Sequence, residues 1–434
     1  MGRNLMKLDG RVNLVRTLPY ALQQILAMFV TNLVPIWTIG SMSQPALTHP
    51  QLMSLAQSAM VIAGIATFIQ ATPIWKIGAN LPIFMGVSFT FVVPLASIAS
   101  KYGYGAVIGS VLVGGAFEGI LGLTAKYWKK MISPIVSATV VTGIGLSLLS
   151  VAARNFGGGY AEDFGSVSNL TIGGVTFVVC ILWSVLTRGR KRQLSILIGL
   201  IAGYITALMF GKVDFSEMKG IGIFSLPKIL PFKPIFRSDA ILSICIIYVV
   251  SATETLGDAS ALVNGALHRE VSSEEVRGAL SADGFGSMLG GFFGVPPVTS
   301  YSENVGLTIL TKVINKNVAR VGAAILVICG LFPPIAAFMQ TIPSAVMGGI
   351  LLVVLGQILV SGFQMISETG FTARNKLIVA LSLAIGIGFT ASTEAGIWES
   401  FPVLLRSIFE QNVVAIIFVI AFLLNLILPQ NLDD

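Results

Sequence analysis

The sequence predicts an all-α protein that crosses a membrane in about fourteen segments, as two inverted repeats of seven with short extended stretches in segments 3 and 10. Hydrophobic residues make up 54% of the 434 residues and charged residues only 11%, whereas soluble domains carry about 25% charge. Apolar windows of membrane-spanning length recur along the chain, and two similar interrupted segments lie half a chain apart. This composition excludes a soluble enzyme, a disordered regulator and a secreted disulfide scaffold.

The apolar windows and the charged loops between them predict a topology. The windows lie near 19–40, 52–71, 82–99, 104–124, 131–153, 169–187, 193–210, 239–262, 278–294, 295–312, 318–339, 342–366, 375–392 and 412–429. With the N-terminus inside, the basic residues of the inside loops satisfy the positive-inside rule. These residues are Lys126, Lys129, Lys130, Arg188, Arg190, Lys191, Arg192, His268, Arg269, Arg277, Lys312, Lys316, Arg320, Arg374 and Lys376.

One outside loop, 211–238, is also basic, but the rule weakens in long loops. Its basic residues are Lys212, Lys219, Lys228, Lys233 and Arg237. The lead-in before the first window is polar and has no cleavage site, and fourteen crossings return Asp433 and Asp434 to the inside. We therefore expect a multi-pass protein of the cell (plasma or inner) membrane with both termini cytoplasmic. The net charge of +7 then reflects basic loops rather than nucleic-acid binding.

Cysteine and histidine give no sign of a metal or a cofactor. The three cysteines (Cys180, Cys245 and Cys329) stand far apart inside apolar runs, as buried packing residues do. The two histidines, His49 and His268, lie in polar connections. We expect neither a metal site nor a cofactor.

Two segments combine proline with polar residues where a continuous helix would otherwise be expected. They are Pro82-Ile-Phe-Met-Gly86-Val-Ser88-Phe89 and Pro296-Pro297-Val-Thr-Ser-Tyr301-Ser302-Glu303. Proline blocks a continuous helix, the β-branched pair Val298-Thr299 favours extended backbone, and Ser88 and Ser302 suit N-caps. Seven crossings separate the segments, and an odd number inverts the second half. Two half-helix N-termini should then face a ligand at mid-membrane; the alternative is two kinked helices with no ligand between them.

Five carboxylates fall in apolar segments, where a charge costs about 2.5–3.5 kcal/mol. Glu254 and Asp258 stand four residues apart on one helix face. Their repulsion favours a proton on at least one of them, although solvated residues near a helix end are an alternative. Asp283 suits a structural or a functional role equally, and Glu118 suits a packing or network residue. The Glu303-Asn304 pair can hydrogen-bond a planar polar ligand through two groups.

The stretch Glu303-Asn304-Val-Gly306-Leu-Thr308-Ile-Leu-Thr311-Lys312 resembles the signature of the nucleobase–ascorbate transporters (nucleobase:cation symporter-2). That signature is Gln, Glu or Pro, then Asn, any residue, Gly, four residues of any kind, Thr, and Arg, Lys or Gly. Further matches follow the family's order along nearly the whole chain. They are Leu22-Gln23-Gln24 through Pro35 in segment 1, Gly86-Val-Ser88-Phe89 in segment 3, Glu254 with Asp258 in segment 8, and Asp283 in segment 9.

The resemblance implies a proton-coupled importer of purine or pyrimidine bases that is not an enzyme. It implies a core of segments 1–4 and 8–11 (residues 1–125 and 239–340) that carries the substrate. A gate of segments 5–7 and 12–14 (126–238 and 341–434) would dimerise, and the core would move against it like an elevator. The implied substrate-binding residues are Glu254, Glu303, Phe89, Ser302, Tyr301 and Asn304. The proton-coupling residues we expect are Glu254, Asp258, Glu303 and Asp283.

Three departures bear on the substrate. Gln24 replaces the histidine of many members and cannot titrate, which places the proton chemistry on carboxylates. Asp258 is typical of purine members and Glu303 of uracil members, so the chain is a hybrid, and the balance favours a purine such as xanthine or urate over uracil. An anion exchanger with the same seven-plus-seven architecture is a further alternative. The carboxylates argue against it because they would repel an anion.

Overall fold

The structure is a computed structural model that describes residues 4–29, 31–128, 133–159, 161–188, 192, 194–215, 218, 221–393, 396–410 and 412–429. Seven residues of the predicted topology lie outside the described residues, and they are Lys129, Lys130, Arg190, Lys191, Lys219, Asp433 and Asp434.

The described residues are mostly helical. In the first half the elements are α1 (Leu14–Met28), α2 (Val34–Met42), α3 (His49–Ala71), β1 (Met85–Val87), α4 (Val92–Tyr102), α5 (Tyr104–Leu123), α6 (Ala125–Trp128), α7 (Pro134–Phe156), α8 (Val167–Leu186) and α9 (Ser195–Met209). In the second half they are α10 (Ser238–Leu262), α11 (Ser273–Phe292), β2 (Val298–Ser300), α12 (Ser302–Thr311), α13 (Lys316–Leu331), α14 (Pro333–Gln340), α15 (Ser344–Thr369), α16 (Ala373–Ala391), α17 (Val403–Phe409) and α18 (Val413–Ile427). Short 3₁₀ turns cover Phe89–Phe91 and Ile397–Ser400, and a π turn, Val263–Leu267, extends α10.

Each of the fourteen predicted segments overlaps helix, and the all-α multi-span fold class is confirmed. Among the described residues, seven helices are long and apolar enough to cross a membrane alone: α3, α5, α7, α8, α10 with its π turn, α15 and α16. The number is eight if α13 and α14, which meet at 78°, form one bent span. The count of fourteen remains a prediction because the other segments are short or broken.

Two segments predicted as continuous are broken at prolines. Segment 1 divides into α1 and α2, with Pro35 in the first turn of α2, where its missing N–H costs nothing. Segment 11 divides at Phe332, and Pro333 opens α14. Segment 9 also starts earlier than predicted, at Ser273, because Ser272 and Glu275 form a capping box there.

The two interrupted segments meet as a two-stranded sheet. β1 pairs antiparallel with β2, with Gly86 opposite Thr299. The ladder continues past both ends, since Tyr301 N donates to Phe84 O at 3.0 Å and Ser88 N donates to Pro297 O at 2.9 Å. The predicted extended stretches are therefore confirmed, and the antiparallel pairing is the arrangement that two inverted repeats require.

Side chains of the surrounding helices satisfy the outer edges of this small sheet. Thr67 of α3 accepts from Met85 N at 2.9 Å, and Ser287 of α11 accepts from Val298 N at 2.9 Å while donating to Val298 O at 3.1 Å. α3 and α11 hold segments 2 and 9, which are equivalent positions of the two halves. The repeat is thus visible in the hydrogen bonds as well as in the chain trace.

Helix packing follows the same two-fold relation. The most extensive contacts join α7 with α15, α5 with α11 and α3 with α13. α7 and α15 are segments 5 and 12, which are equivalent to each other. The pair α5–α11 (segments 4 and 9) is equivalent to the pair α13–α3 (segments 11 and 2). Each of these contacts joins one half of the chain to the other, so neither half has a core of its own.

The long basic loop lies across one end of the helices. Ser225 N donates to Leu331 O at 3.1 Å and Ile235 N donates to Gly105 O at 2.9 Å. Lys212 pairs with Asp163 at 2.5 Å, and this hydrogen-bonded ammonium lowers the pKa of Asp163 from its ordinary value. Asp163 belongs to another loop predicted outside, so these contacts place both loops on one side.

The α5–α11 contact yields a testable prediction. A Cβ added at Gly284 would lie 2.6 Å from Gly119 Cα, and backbone cannot move aside as a flexible side chain can. We expect Gly284→Ala to destabilise the protein by about 1–3 kcal/mol, measured as a lower thermal midpoint in detergent. The matched control is Gly174→Ala in α8, where nothing lies within 4 Å of the added carbon. It should be neutral or slightly stabilising, and equal midpoints for the two variants would contradict the packing described.

Candidate functional site

Each strand leads into a half-helix, and the two half-helices run in opposite directions from the strand pair. The turn Phe89–Phe91 and α4 follow β1, and α12 follows β2. Ser88 precedes the first turn as predicted. The prediction that Ser302 caps α12 is wrong, since Tyr301 holds the N-cap position and Ser302 is the first helical residue. The reason is that the Ser302 hydroxyl bonds Asp258 instead of its own helix.

Glu254 reaches from α10 to the first half-helix. Thr90 Oγ1 donates a hydrogen bond of 2.7 Å to Glu254 Oε2, and the Glu254 side chain is partly exposed. Phe89 is also partly exposed, whereas Phe91 is buried with its ring centroid 4.6 Å from that of Tyr248. Glu254 and Phe89 therefore both keep some exposed surface beside β1.

Asp258 connects Glu254 to the second half-helix. Its Oδ2 accepts a 2.6 Å hydrogen bond from Ser300 at the end of β2. Asp258 lies in electrostatic range of both Glu254 and Glu303. Glu303 is partly exposed, and its Oε2 is buried with no hydrogen-bond partner among the described residues. The structure thus brings together three of the predicted carboxylates, with hydrogen-bonding capacity left on Glu303.

Asp283 is enclosed rather than open. It is fully buried and accepts hydrogen bonds from Thr255 Oγ1, from Gln70 Nε2 at 3.3 Å and from the Ser300 backbone. These donors come from α10, α3 and β2, so Asp283 joins three elements to its own helix α11. Of the two roles that the sequence left open, this geometry displays the structural one. Its predicted part in proton coupling stays a prediction.

Tyr301 and Asn304 have partners within the protein. The Tyr301 hydroxyl donates to Val87 O at 2.9 Å, and a Cβ at Gly86 would lie 2.5 Å from the Tyr301 ring, so only glycine fits there. Asn304 Nδ2 donates to Gln24 Oε1 at 2.8 Å. Gln24, which replaces the family's histidine, also donates to Thr308 at 2.9 Å. These side chains position the strand and the half-helix, and contact with a ligand through them stays a prediction.

Sequence reasoning missed the neutral partners of the acids. They are Thr90, Ser300, Thr255 and Gln70. It also missed the side chains that bond the strand edges, which are Thr67, Asn32 and Ser287. The available signal was weak, because isolated Ser, Thr, Asn and Gln residues are ordinary in membrane helices. Only folding shows which of them meet a carboxylate or a strand edge.

Exposed residues continue from the site along two helices. Along α10 and its extension, Gly257 has open space around it and Ala261 and Asn264 are exposed. Along α12, Ser302 and Gly306 are exposed. Both exposed faces run toward the helix ends that the topology predicts to be cytoplasmic, whereas α10 is buried on the other side of Glu254 from Val250 to Thr253. We therefore expect these faces to be reached from the predicted cytoplasm.

A cavity lies apart from these carboxylates. It has a volume of about 520 Å³ and lies between α2 and α3 on one side and α7 and α15 on the other, with Trp37, His49, Arg154 and Gln340 in its wall. None of the carboxylates described above lines it. It faces the side predicted to be outside.

Half-helices that meet at a strand pair beside carboxylates are typical of a multi-pass membrane transporter. The chain belongs to the xanthine/uracil-type permease family, because the model described as "Permease family" (Xan_ur_permease) matches residues 15–395. The resemblance to the nucleobase:cation symporter-2 family is thereby confirmed. Membership of a permease family also identifies the protein as a transporter rather than an enzyme.

Relatives cover nearly the whole chain. The xanthine permease of Bacillus subtilis is 33% identical over 408 residues, which are 92% of this chain and 91% of that protein. The uric acid permease PucJ of the same organism is 34% identical over 398 residues, 89% and 87% of the two chains. The xanthine permease XanQ of Escherichia coli is 33% identical over 447 residues, 98% and 94% of the two chains.

Solved structures show the same fold at low identity. The transmembrane domain of the cyanobacterial bicarbonate transporter BicA matches with a TM-score of 0.60 at 17% identity, covering 91% of this chain and 97% of that one. Murine Slc26a9, an anion transporter, matches with a TM-score of 0.58 at 11% identity, covering 95% and 68%. These likenesses concern architecture alone.

The exposed face of α12 can be tested by cysteine labelling. In a background with Cys180, Cys245 and Cys329 replaced by serine, we expect Ser302→Cys to react with a charged maleimide in inside-out vesicles, because that position is exposed toward the predicted cytoplasm. Val305→Cys, which lies on the buried face of the same helix, is the matched control and should stay unlabelled. Labelling of Ser302→Cys only in right-side-out vesicles would contradict the predicted orientation or the direction of opening.

Proposed function

We propose that the protein is a proton-coupled symporter that imports a purine base, such as xanthine or urate, across the cell membrane. The observation that carries the proposal is the Glu254 carboxyl beside an open aromatic ring at the strand pair. The names of the relatives, two xanthine permeases and a uric acid permease, support a purine as the ligand that this pair takes.

In the proposed binding mode the base stacks on Phe89 and lies between the two half-helices. Protonated Glu254 hydrogen-bonds the ring, and Glu303 and Ser302 bind its edge through their side chains. Tyr301, whose backbone N–H is bonded to Phe84 O, lies next to the base and holds the end of the strand in place. Asn304 contributes indirectly, by holding the Gln24 side chain through a hydrogen bond of 2.8 Å. A purine offers both N–H donors and carbonyl acceptors, so it can use the hydrogen-bonding capacity that Glu303 leaves unfilled.

Proton coupling is expected because the loaded site has to cross the low-dielectric interior of the membrane. A bare carboxylate is costly to carry across the membrane, so the core moves with Glu254 protonated and the base bound. Release of the proton inside weakens the site and frees the base. Asp258, Glu303 and Asp283 complete the proposed proton-coupling set.

The proposed movement is an elevator-like displacement of the core, segments 1–4 and 8–11, against the gate. The packing supports this division, because the extensive contacts α5–α11 and α3–α13 lie within the core and α7–α15 lies within the gate. The gate helix α8 exposes apolar side chains such as Val178, Leu182 and Val185. We propose that the gate forms a homodimer and that both termini face the cytoplasm.

A uracil symporter is the second candidate, and Glu303 favours it because uracil members have Glu at that place in the signature. Proteoliposomes with an inward proton gradient should be offered xanthine, urate, guanine, hypoxanthine and uracil. We expect concentrative uptake of at least one purine and weaker uptake of uracil. Uptake of uracil alone would reverse the substrate assignment, and uptake of bicarbonate or sulfate without any base would favour an anion exchanger.

Glu254→Gln tests the coupling role. The amide cannot release a proton, so we expect the variant to lose concentrative uptake in response to a pH step, by a factor of about 10² or more. Glu162→Gln, a change at an exposed loop residue, is the control and should transport as the unmodified protein does. A Glu254→Gln variant that still concentrates the base against its gradient would refute the assignment.

A further inference from the structure

Glu118 is a membrane carboxyl that the proposed cycle does not use. It lies in α5 and is 0% exposed. Neither of its carboxyl oxygens has a hydrogen-bond partner among the described residues. A charged carboxylate without donors or water is strongly disfavoured in such a place, so Glu118 carries a proton in this conformation.

The surroundings of Glu118 are tight and acidic. α5 packs directly on the backbone of α11, where a Cβ at Gly115 would lie 2.5 Å from Met288 N. The acids in electrostatic range of Glu118 are Asp283 from α11 and Glu254 from α10. Tyr248, also from α10, is in range too, and its hydroxyl donates to the Val111 carbonyl at 3.4 Å.

These neighbours determine where a shared proton resides. Asp283 accepts hydrogen bonds from Thr255, Gln70 and the Ser300 backbone, and such bonds favour the anion. Glu118 faces a single hydroxyl, that of Ser251, which makes no well-aligned hydrogen bond to it. Of these two interacting acids, Glu118 is therefore the one that favours the protonated form, and it is the one with a proton to exchange.

A hydroxyl lies beside Glu118 on the helix that carries Glu254. Ser251 faces the Glu118 carboxyl, and the Ser251 hydroxyl is itself buried without a well-aligned hydrogen bond in this conformation. Ser251 stands three residues before Glu254 in α10, so both side chains lie on one face of that helix. A hydroxyl can accept one proton while it donates its own.

We propose that Glu118 is a second protonation site of the transport cycle and exchanges its proton with Glu254 through Ser251, an inference that rests on the proposed symport. In this step the O–H bond of Glu118 breaks as the Ser251 oxygen takes its proton. The former Ser251 proton passes to the Glu254 carboxylate. One proton moves, and Glu118 becomes the anion as Glu254 becomes neutral. In this proposal Glu118 does not contact the substrate. It acts only by holding a proton that it exchanges with Glu254.

The test measures two activities separately: exchange of the base without a gradient, and concentrative uptake driven by a proton gradient. In proteoliposomes, Glu118→Gln should keep xanthine exchange without a gradient within about twofold of the unmodified protein. Concentrative uptake driven by a proton gradient should fall by at least about tenfold, with a flattened pH profile. Ser251→Ala, which keeps the acid and removes the hydroxyl, should show the same split, and Glu162→Gln should behave as the unmodified protein does.

Three results would overturn the proposal. One is concentrative uptake by Glu118→Gln with an unchanged pH profile. Another is a folded Glu118→Gln variant that loses exchange together with uptake, which marks a structural carboxyl. If Glu118→Gln does not fold, the Ser251→Ala variant is used instead. Normal proton coupling in Ser251→Ala is the third result that would overturn the proposal.

An infrared measurement distinguishes failure of this inference from failure of the symport proposal. The protonated-carboxyl band of the purified protein should contain a component that titrates with pH and is missing in Glu118→Gln, whether or not a base is transported. A band identical in the two proteins would overturn the proton-exchange role alone. Absence of base uptake by the unmodified protein would overturn the proposed function alone.

Discussion

The structure depends on two three-residue strands that interrupt membrane segments, where every backbone N–H and C=O needs a partner within the protein. The strands satisfy their inner edges by pairing with each other. Along their outer edges, strand N–H groups donate to Thr67 and Asn32, and strand carbonyls accept from Ser287 and Tyr301. Helices from both halves of the chain must therefore close around the pair. This requirement explains why the extensive helix contacts join one half to the other.

The same interruption creates the site. A helix that begins at a strand presents unpaired N–H groups and the positive end of its dipole, and here two such starts lie beside the same carboxylates. Glu254 and Asp258 are held by hydroxyl donors, Thr90 and Ser300, which leave the carboxyls able to gain or lose a proton. Asp283 has several donors and is fixed. This difference between a fixed acid and freer acids would suit the symport proposed above, in which a neutral base binds and a proton is released on one side.

Most of the fold could be predicted because hydropathy alone marks membrane segments, and proline marks the breaks at Pro82 and Pro296. The family signature around Glu303 and the spacing of Glu254 and Asp258 located the acidic cluster. The helix start at Ser302 could not be predicted, since its hydroxyl bonds a carboxylate on another helix. Nor could the neutral partners of the acids, because one Ser or Thr among many becomes a donor only through tertiary contact. The isolation of Glu118 was likewise invisible, as its helix shows no local motif.

A structure of the purified protein with xanthine bound, determined by electron cryo-microscopy at acidic pH, tests the central claim most directly. The account predicts density for a flat ring against Phe89, with its edge within hydrogen-bonding distance of the Glu254 and Glu303 carboxyls at the ends of the strand pair. Density for the base in the separate cavity beside Trp37, with nothing bound at the strands, would contradict it.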